Sequence, residues 1–307
     1  MDVFAAFVPI HLRDCFSNMI ATRVVSTYLF VNQPLSSAML GDVARARADS
    51  VELFCSQPHF NYRSSEEVRK LAGWLEEHHL KIHSLHSPTE RDLVAGRRES
   101  GIAISISEPE RVRRVDAVDE VKRALEMAEQ IPFPFLIQHL AHGRQSLDQR
   151  KLDAAFNSLE HLVIFAKQRG VTIALENTPG DLTSPSTLRD FIEETRLRDL
   201  RMCFDAGHAH IEDGIEASFE AMHERVVTTH LHDNQGDKDE HLLPYDGSID
   251  WNSTLQLLAS APRPLPLVLE LREQPARPVI DRIADVLDRL EQGLAANRAP
   301  NRTAAGD

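Results

Sequence analysis

The stretch VTIALENTPGDLTSPSTLRDFIEETRLRDLRMCFD, residues 171–205, contains the unit that decides the fold. It begins with one short apolar run, VTIALE, and ends with another, LRMCFD. Continuous apolar runs of this length are typical of strands that are covered on both faces in a parallel sheet. Between them, SPSTLRDFIEE has its apolar residues at helical spacing. The stretch therefore predicts a strand, a helix and a second, parallel strand.

The same alternation repeats along the chain. The segment SSEEVRKLAGWLEEHH, residues 64–79, begins with Ser64 as a cap and places Val68, Leu71 and Leu75 on one stripe. No G-x-G-x-x-G turn follows the first strand, which argues against a doubly wound open sheet. We therefore predict a single-domain α/β fold, the (β/α)8 TIM barrel. The eight strands are expected at Val24–Phe30, Ser50–Cys55, Leu80–His86, Phe133–His139, Val171–Glu176, Leu200–Asp205, Val226–His232 and Pro266–Leu271.

The barrel is expected over residues 23–292, between an N-terminal arm (1–22) and a flexible tail (293–307). The arm has a short apolar patch but no basic start and no cleavage site, so we do not expect a signal peptide. Met19 is an alternative start. The segment Ser87–Val115 follows the third strand, where a barrel would place an active-site loop.

Composition narrows the classes of partner. The chain has 34 basic and 47 acidic residues and a net charge of −13, which argues against nucleic acid as a partner. Cys15, Cys55 and Cys203 are too few and too scattered for a disulfide framework, and we expect buried free thiols. No apolar run approaches the roughly 20 residues of a membrane span. We therefore expect no membrane contact and a cytoplasmic location.

Ionisable residues recur where the predicted strands end, which is the face on which barrel enzymes carry out chemistry. Any one of them alone is ordinarily a satisfied core histidine or a solvated carboxylate. A charged group at the end of an apolar run is costly to bury unless it is paired or bound to a metal. Six strands share the feature, which predicts a metal site. The residues are His86, His139, Glu176, Asp205 with His208, His230 and Glu270.

The stretch THLHDNQGDKDEH, residues 229–241, adds further candidates. Asp239 and His241 alternate in an extended segment, so we expect them to converge with His230. We expect His232 on the other face of the strand, where it would support the site. Imidazole and carboxylate ligands without thiolates suit Zn²⁺, Mn²⁺, Co²⁺ or Fe²⁺.

Six segments together resemble the xylose isomerase-like TIM barrels, a superfamily that includes endonuclease IV and the sugar phosphate isomerases and epimerases. The segments are IHSLHSP, LIQHLAHG, IALENTPG, CFDAGHAH, THLHDNQGDKDEHLLPYDGSIDW and LVLELRE, and the barrel pattern extends the match over about Val24–Leu290. In the isomerases the resemblance implies one divalent metal (Zn, Mn, Co or Mg) at Glu176, Asp205, His230 and Glu270. In endonuclease IV it implies three zinc ions, with added ligands at His86, His139, His208, Asp239 and His241.

The resemblance leaves several activities open. HLLPYDGSIDW is similar to a stretch of sugar phosphate isomerase/epimerase-like members, and the loop SQPHFNYRSS is short and poor in basic residues. We therefore predict a divalent-metal-dependent sugar or sugar phosphate isomerase or epimerase. Leu182 and Gly236 stand near the places where ketose 3-epimerases carry a Glu and an Arg, which puts that specific activity in doubt. The alternatives are an endonuclease IV-like AP endonuclease, a polyol or inosose dehydratase, and a barrel that binds a metal or sugar without catalysis.

For the leading activity, Glu176 and Glu270 are the expected acid and base, and they move a proton through an enediolate. We expect the substrate to contact His86, His139, His208 and Arg272. Barrels of this superfamily often pair through their helices, so the resemblance also leaves a homo-oligomer open, with no surface assigned.

Overall fold

The computed structural model describes residues 21–91, 101–141, 143–274 and 278–298. The predicted arm lies outside these ranges up to residue 20, together with Cys15 and the alternative start Met19. Residues 299–307 of the predicted tail also lie outside them, whereas residues 293–298 belong to the last helix. Cys55 and Cys203 are buried free thiols, which confirms the prediction for these two.

The described residues form an eight-stranded parallel sheet that curves into a barrel, which confirms the predicted fold. Its strands are β1 (Arg23–Ser26), β2 (Ser50–Phe54), β3 (Lys81–His86), β6 (Phe135–Gln138), β7 (Thr172–Glu176), β8 (Arg201–Asp205), β9 (Val226–His230) and β10 (Leu267–Leu269). They follow one another in chain order around the sheet, and β10 pairs with β1. The Leu231 N–H donates to Val268 O at 2.8 Å and joins the end of β9 to β10.

Helices cover the outside of the barrel. They are α1 (Ser37–Arg45), α2 (Ser65–Glu77), α3 (Arg111–Leu125), α4 (Gln149–Lys167), α5 (Pro185–Thr195), α6 (Ala206–Ile211), α7 (Ile215–Met222), α8 (Trp251–Ala259) and α9 (Ile280–Arg298). Helix α2 begins as predicted, because Ser64 Oγ accepts a hydrogen bond from the Glu67 N–H. Its stripe of Val68, Leu71 and Leu75 is buried. In the part of the chain that the structure describes, no helix is long and apolar enough to cross a membrane.

Several predicted strands are too long. The first was expected to reach Phe30, but β1 ends at Ser26 and residues Thr27–Phe30 form a 3-10 turn. The last ends at Leu269, so Glu270 lies just beyond it. The apolar pattern continues past each strand because the first loop residues are buried as well. Hydrogen bonding to neighbouring strands stops earlier.

The expected loop Ser87–Val115 is partly structured. Its described residues include a two-residue antiparallel ribbon of β4 (Glu90–Arg91) and β5 (Ile102–Ala103). Helix α3 begins at Arg111, so the end of the expected loop is helical.

A buried ionic cluster ties the segment after β2 to α3. Glu120 is fully buried and accepts hydrogen bonds from Tyr62 Oη at 2.6 Å, Arg63 Nε at 2.8 Å and Arg123 Nη1 at 2.7 Å. Burial on its own raises the pKa of Glu120, but the hydrogen bonds from Arg63, Tyr62 and Arg123 outweigh it and hold the pKa below its ordinary value. The carboxylate is therefore ionised and fully paired near neutral pH.

Candidate metal centre and active site

The C-terminal ends of β7 to β10 bring four buried side chains together, and their ligand atoms all lie within 4.8 Å of one another. His230 lies at the centre. Its Nδ1 is 3.1 Å from Glu176 Oε1 and 3.7 Å from Glu270 Oε2. The same nitrogen lies 3.7 Å from Asp205 Oδ2. We call Glu176, Asp205, His230 and Glu270 the strand-end group. It is the set that the sequence resemblance assigns to one ion.

Two histidines contact the other oxygen of Glu176. His139 Nε2 lies 3.0 Å from Glu176 Oε2, and His86 Nε2 lies 3.7 Å from the same atom. His86 is buried and stacks on Phe54, with the ring centroids 4.5 Å apart. We call His86, His139 and Glu176 the two-histidine group. Because Glu176 belongs to both groups, a single carboxylate joins them.

A third set consists of His208, His232, Asp239 and His241, and we call it the loop group. Asp239 Oδ2 lies 3.0 Å from His241 Nε2 and 3.5 Å from His208 Nε2. The rings of His232 and His241 stack with their centroids 4.1 Å apart. The structure thus brings together every residue that the sequence analysis singled out in this segment.

The placement of His232 corrects the prediction that its side chain would lie on the other face of the strand. Residues two apart in an extended chain point to the same face, so His232 follows His230 into the barrel. His232 Nε2 lies 3.1 Å from Asp205 Oδ2, which joins the loop group to the strand-end group. Gly207 makes the fit possible, because a Cβ at that position would lie 2.0 Å from His232 Cε1.

Asp233 organises the loop that carries Asp239 and His241. Its buried carboxylate accepts hydrogen bonds from the N–H groups of Tyr245 at 2.9 Å and Ile249 at 3.1 Å. It also accepts one from Trp251 Nε1 at 2.7 Å. Gly247 packs directly against it, since a Cβ at residue 247 would lie 2.2 Å from Asp233 Oδ1. The stretch PYDGSIDW therefore folds around one carboxylate.

Three of the candidate ligand histidines are oriented by backbone carbonyls. The Nδ1 of His86 contacts Ser87 O, that of His208 contacts Asn177 O, and that of His241 contacts Glu270 O, each at 2.9 Å. A carbonyl can only accept, so each Nδ1 carries the proton and donates. Each Nε2 then faces a carboxylate and is the nitrogen that could bind an ion, which is the orientation of metal-ligating histidines.

Opposing pKa shifts mark the strand-end group. Burial alone raises the pKa of Glu176, but the imidazoles of His230 and His139 hold it well below its ordinary value. Burial also raises the pKa of Glu270 well above its ordinary value, helped by the neighbouring carboxylates of Glu176 and Glu52 and opposed by His230. Ionisation of both carboxylates is therefore unfavourable when no cation is bound. A bound cation would offset that cost.

The residues fit a divalent metal. Among the described residues, four buried atoms of these groups make no hydrogen bond: Glu176 Oε1, His230 Nδ1, His232 Nδ1 and Asp239 Oδ1. Buried polar atoms are normally satisfied, and unpaired buried charge is strongly unfavourable. A set of imidazole nitrogens and carboxylate oxygens suits Zn²⁺ or Mn²⁺.

A tyrosine and an arginine lie beside the loop group. Arg272 is exposed, and its Nε donates to Tyr28 Oη at 2.9 Å. The ring of Tyr28 lies between Phe54 and His241, with centroid distances of 4.8 and 4.9 Å. Sequence reasoning had singled out Arg272 but missed Tyr28, because the 3-10 turn that presents it was expected to be strand.

Sequence reasoning also missed Glu52. It lies within β2, is fully buried, and contacts His230 Nε2 at 3.1 Å. Burial raises its pKa, but His230 more than offsets this and lowers the pKa of Glu52 to about 2. The sequence feature that could have identified Glu52 is that it is the lone carboxylate in the apolar run SVELFC.

Comparisons with known proteins agree with this architecture. The family model of the xylose isomerase-like TIM barrels matches residues 40–292. The protein MJ1311 of Methanocaldococcus jannaschii is 27% identical over 244 residues, which cover 76% of this chain and 78% of its own. A probable endonuclease 4 of Haloquadratum walsbyi is 26% identical over 191 residues, 56% of this chain and 68% of its own. The crystal structure of a D-tagatose 3-epimerase-like protein matches with a TM-score of 0.73 at 22% identity, and the match covers 90% of this chain and 100% of that one.

Proposed function

Because the chain belongs to the family of xylose isomerase-like TIM barrels, we propose that it is a divalent-metal-dependent isomerase or epimerase of a sugar or sugar phosphate. The observation that carries the proposal is the pair of buried carboxylates, Glu176 and Glu270. They lie 3.1 and 3.7 Å from the same nitrogen of His230 at the strand ends. The likeness to a D-tagatose 3-epimerase-like structure supports a sugar substrate, and the net charge of −13 opposes a polyanionic one.

The strand-end group, Glu176, Asp205, His230 and Glu270, would hold the ion. When bound, the ion supplies Lewis acidity, which polarises a carbonyl and stabilises negative charge on neighbouring oxygens. The two glutamates carry the proton transfer. One removes the proton alpha to the substrate carbonyl to give an enediolate. The other returns a proton to the next carbon or to the opposite face.

The remaining polar side chains would bind and orient the sugar. His86, His139 and His208 border the strand-end group and offer nitrogens to hydroxyl groups. Arg272 is exposed beside Tyr28, where its guanidinium can bind a hydroxyl or a phosphate. A phosphorylated sugar would use this cation most fully.

The test is Glu270→Gln, which keeps the size and one oxygen donor but cannot act as a base. We expect the rate at which a ketose is converted to its isomer or epimer to fall by about 10²- to 10⁴-fold. The content of bound metal, measured by elemental analysis, should persist. Glu224→Gln, at an exposed glutamate, is the matched control and should leave the rate unchanged. Unchanged sugar conversion by metal-loaded Glu270→Gln would refute the proposed role.

A second candidate is a phosphodiesterase of the endonuclease IV type. It is favoured by the two-histidine and loop groups, which add two further places for ions among the described residues, and by the endonuclease 4 relative. Several ions a few ångströms apart can clamp the attacking and leaving oxygens of a phosphodiester. Three ions per chain together with cleavage of an abasic duplex would favour this function. One ion together with deuterium incorporation into a sugar would favour the isomerase.

A further inference from the structure

Glu52 belongs to none of the three groups, yet it contacts His230 at Nε2, the ring nitrogen that does not face the strand-end group. It lies on β2 in the barrel interior and is fully buried. Its Oε2 accepts a hydrogen bond from Ser84 Oγ at 2.7 Å and lies 3.1 Å from His230 Nε2. A register shift between Val51 and Glu52 pairs Glu52 with Ser84 on the neighbouring strand, so both side chains reach the same interior position.

His230 is turned differently from the three candidate ligand histidines that are oriented by backbone carbonyls. His86, His208 and His241 use Nδ1 to bind a backbone carbonyl and direct Nε2 at the carboxylates. His230 directs Nδ1 at Glu176, Asp205 and Glu270 and presents Nε2 to Glu52. Its partner is therefore a carboxylate, a much stronger acceptor than a carbonyl.

Packing does not explain a carboxylate at this position. A buried charge is costly unless it is paired, and an apolar side chain of similar size would fill the interior of a barrel without that cost. Oε2 is engaged by both Ser84 and His230, whereas Oε1 makes no hydrogen bond to any residue that the structure describes. The only ionisable partner within hydrogen-bonding distance in the described structure is His230, so the effect of Glu52 is exerted through that ring.

We propose that Glu52 is a positioning residue that sets the tautomer of His230. Its carboxylate accepts the Nε2–H, which leaves the Nδ1 lone pair directed into the strand-end group and strengthens the imidazole as a metal ligand. This inference rests on the proposed metal-dependent function, because it concerns how tightly the chain holds the ion. Glu52 is not a member of the strand-end group, and its hydrogen-bonding partners among the described residues are Ser84 and His230.

The experiment measures metal binding and the tautomer separately. Metal-free wild type, Glu52→Gln and the matched control Ser84→Ala are titrated with Zn²⁺ in a calorimeter against a competing chelator. We expect Glu52→Gln to weaken one binding event about 10- to 100-fold, the usual effect of removing such a partner. Ser84→Ala keeps the carboxylate on His230 and should have a much smaller effect. Thermal melts of the metal-free proteins establish that each variant is folded.

Nitrogen-15 NMR of histidine-labelled, zinc-loaded wild type gives a readout that does not depend on any variant. The proposal requires the His230 ring to carry its proton on Nε2 and none on Nδ1 when zinc is bound. A proton on Nδ1 in the zinc-loaded protein, or a Glu52→Gln variant that binds Zn²⁺ as tightly as wild type, would overturn it. If wild type turns over no sugar while Glu52→Gln still loses affinity, the proposed activity fails and the role of Glu52 stands.

Discussion

Replacement of Asp233 by asparagine should release the loop that carries Asp239 and His241. The Asp233 Oδ2 accepts from the Tyr245 N–H and from Trp251 Nε1, while Oδ1 accepts from the N–H groups of Asn234 and Ile249. An asparagine has one oxygen and one amide nitrogen. Whichever way it turns, its nitrogen must face two donors, and those two hydrogen bonds are lost.

The cost follows from the number of lost bonds. A hydrogen bond to a charged acceptor contributes about 1.5–3 kcal/mol, so two lost bonds predict a loss of about 3–6 kcal/mol in the free energy of unfolding. That is a large part of the roughly 5–15 kcal/mol that stabilises an ordinary domain. Because the loop supplies two members of the loop group, the variant should also lose any ion held there.

Urea unfolding followed by circular dichroism and by tryptophan fluorescence, together with metal analysis, tests this prediction. Asp237→Asn is the matched control, because Asp237 is an exposed carboxylate in the same loop. It should change the free energy of unfolding by no more than about 0.5 kcal/mol. If Asp233→Asn unfolds like this control and keeps the wild-type metal content, the loop is not organised by the Asp233 carboxylate.

Three further predictions concern single positions or bound ions. Gly207→Ala should displace His232 and lower the metal content, because its Cβ would collide with that ring. Its control is Gly73→Ala on α2, where the added Cβ meets open space and should raise the free energy of unfolding by about 0.5–1 kcal/mol. Wild type should have a higher free energy of unfolding in urea than Glu120→Gln. This difference should be complete above the ordinary glutamate pKa of about 4.3, and it should disappear as the pH falls through the lower pKa that Glu120 has in the folded protein. A difference in the free energy of unfolding that grew as the pH fell would contradict the ion pairing of Glu120. Zinc at 100 times its dissociation constant should stabilise the metal-free protein by about 2.7 kcal/mol, and unchanged melting would contradict the metal centre.

The barrel and most of the candidate site at the C-terminal ends of its strands could be predicted because two signals coincide in the sequence. Apolar runs mark the strands, and the ionisable residue at the end of a run marks the same edge of the sheet each time. Glu176 and Asp205 are examples, since both lie at the last position of their strands. A parallel barrel places all such positions at one end, so their convergence follows from topology.

The missed residues have different physical reasons. Glu52 lies inside an apolar run, and the sequence does not show that the shift at Val51/Glu52 brings its carboxylate under His230. Tyr28 lies in a turn whose apolar residues imitate a strand. His232 was placed on the wrong face although the alternation of an extended chain predicts the correct one.

Shared carboxylates make the three groups one interacting centre. Glu176 Oε1 contacts His230, and its Oε2 contacts His139. Asp205 Oδ2 lies 3.1 Å from His232 and 3.7 Å from His230. Ions in two of the groups would therefore compete for the same carboxylate oxygens, and the affinities of the groups would be coupled. Under the proposed function, such coupling would link the number of bound ions to the activity. A centre with one ion would leave His86, His139 and His208 available to bind sugar hydroxyls, whereas a fully loaded centre would use them as ligands and would favour a phosphodiester.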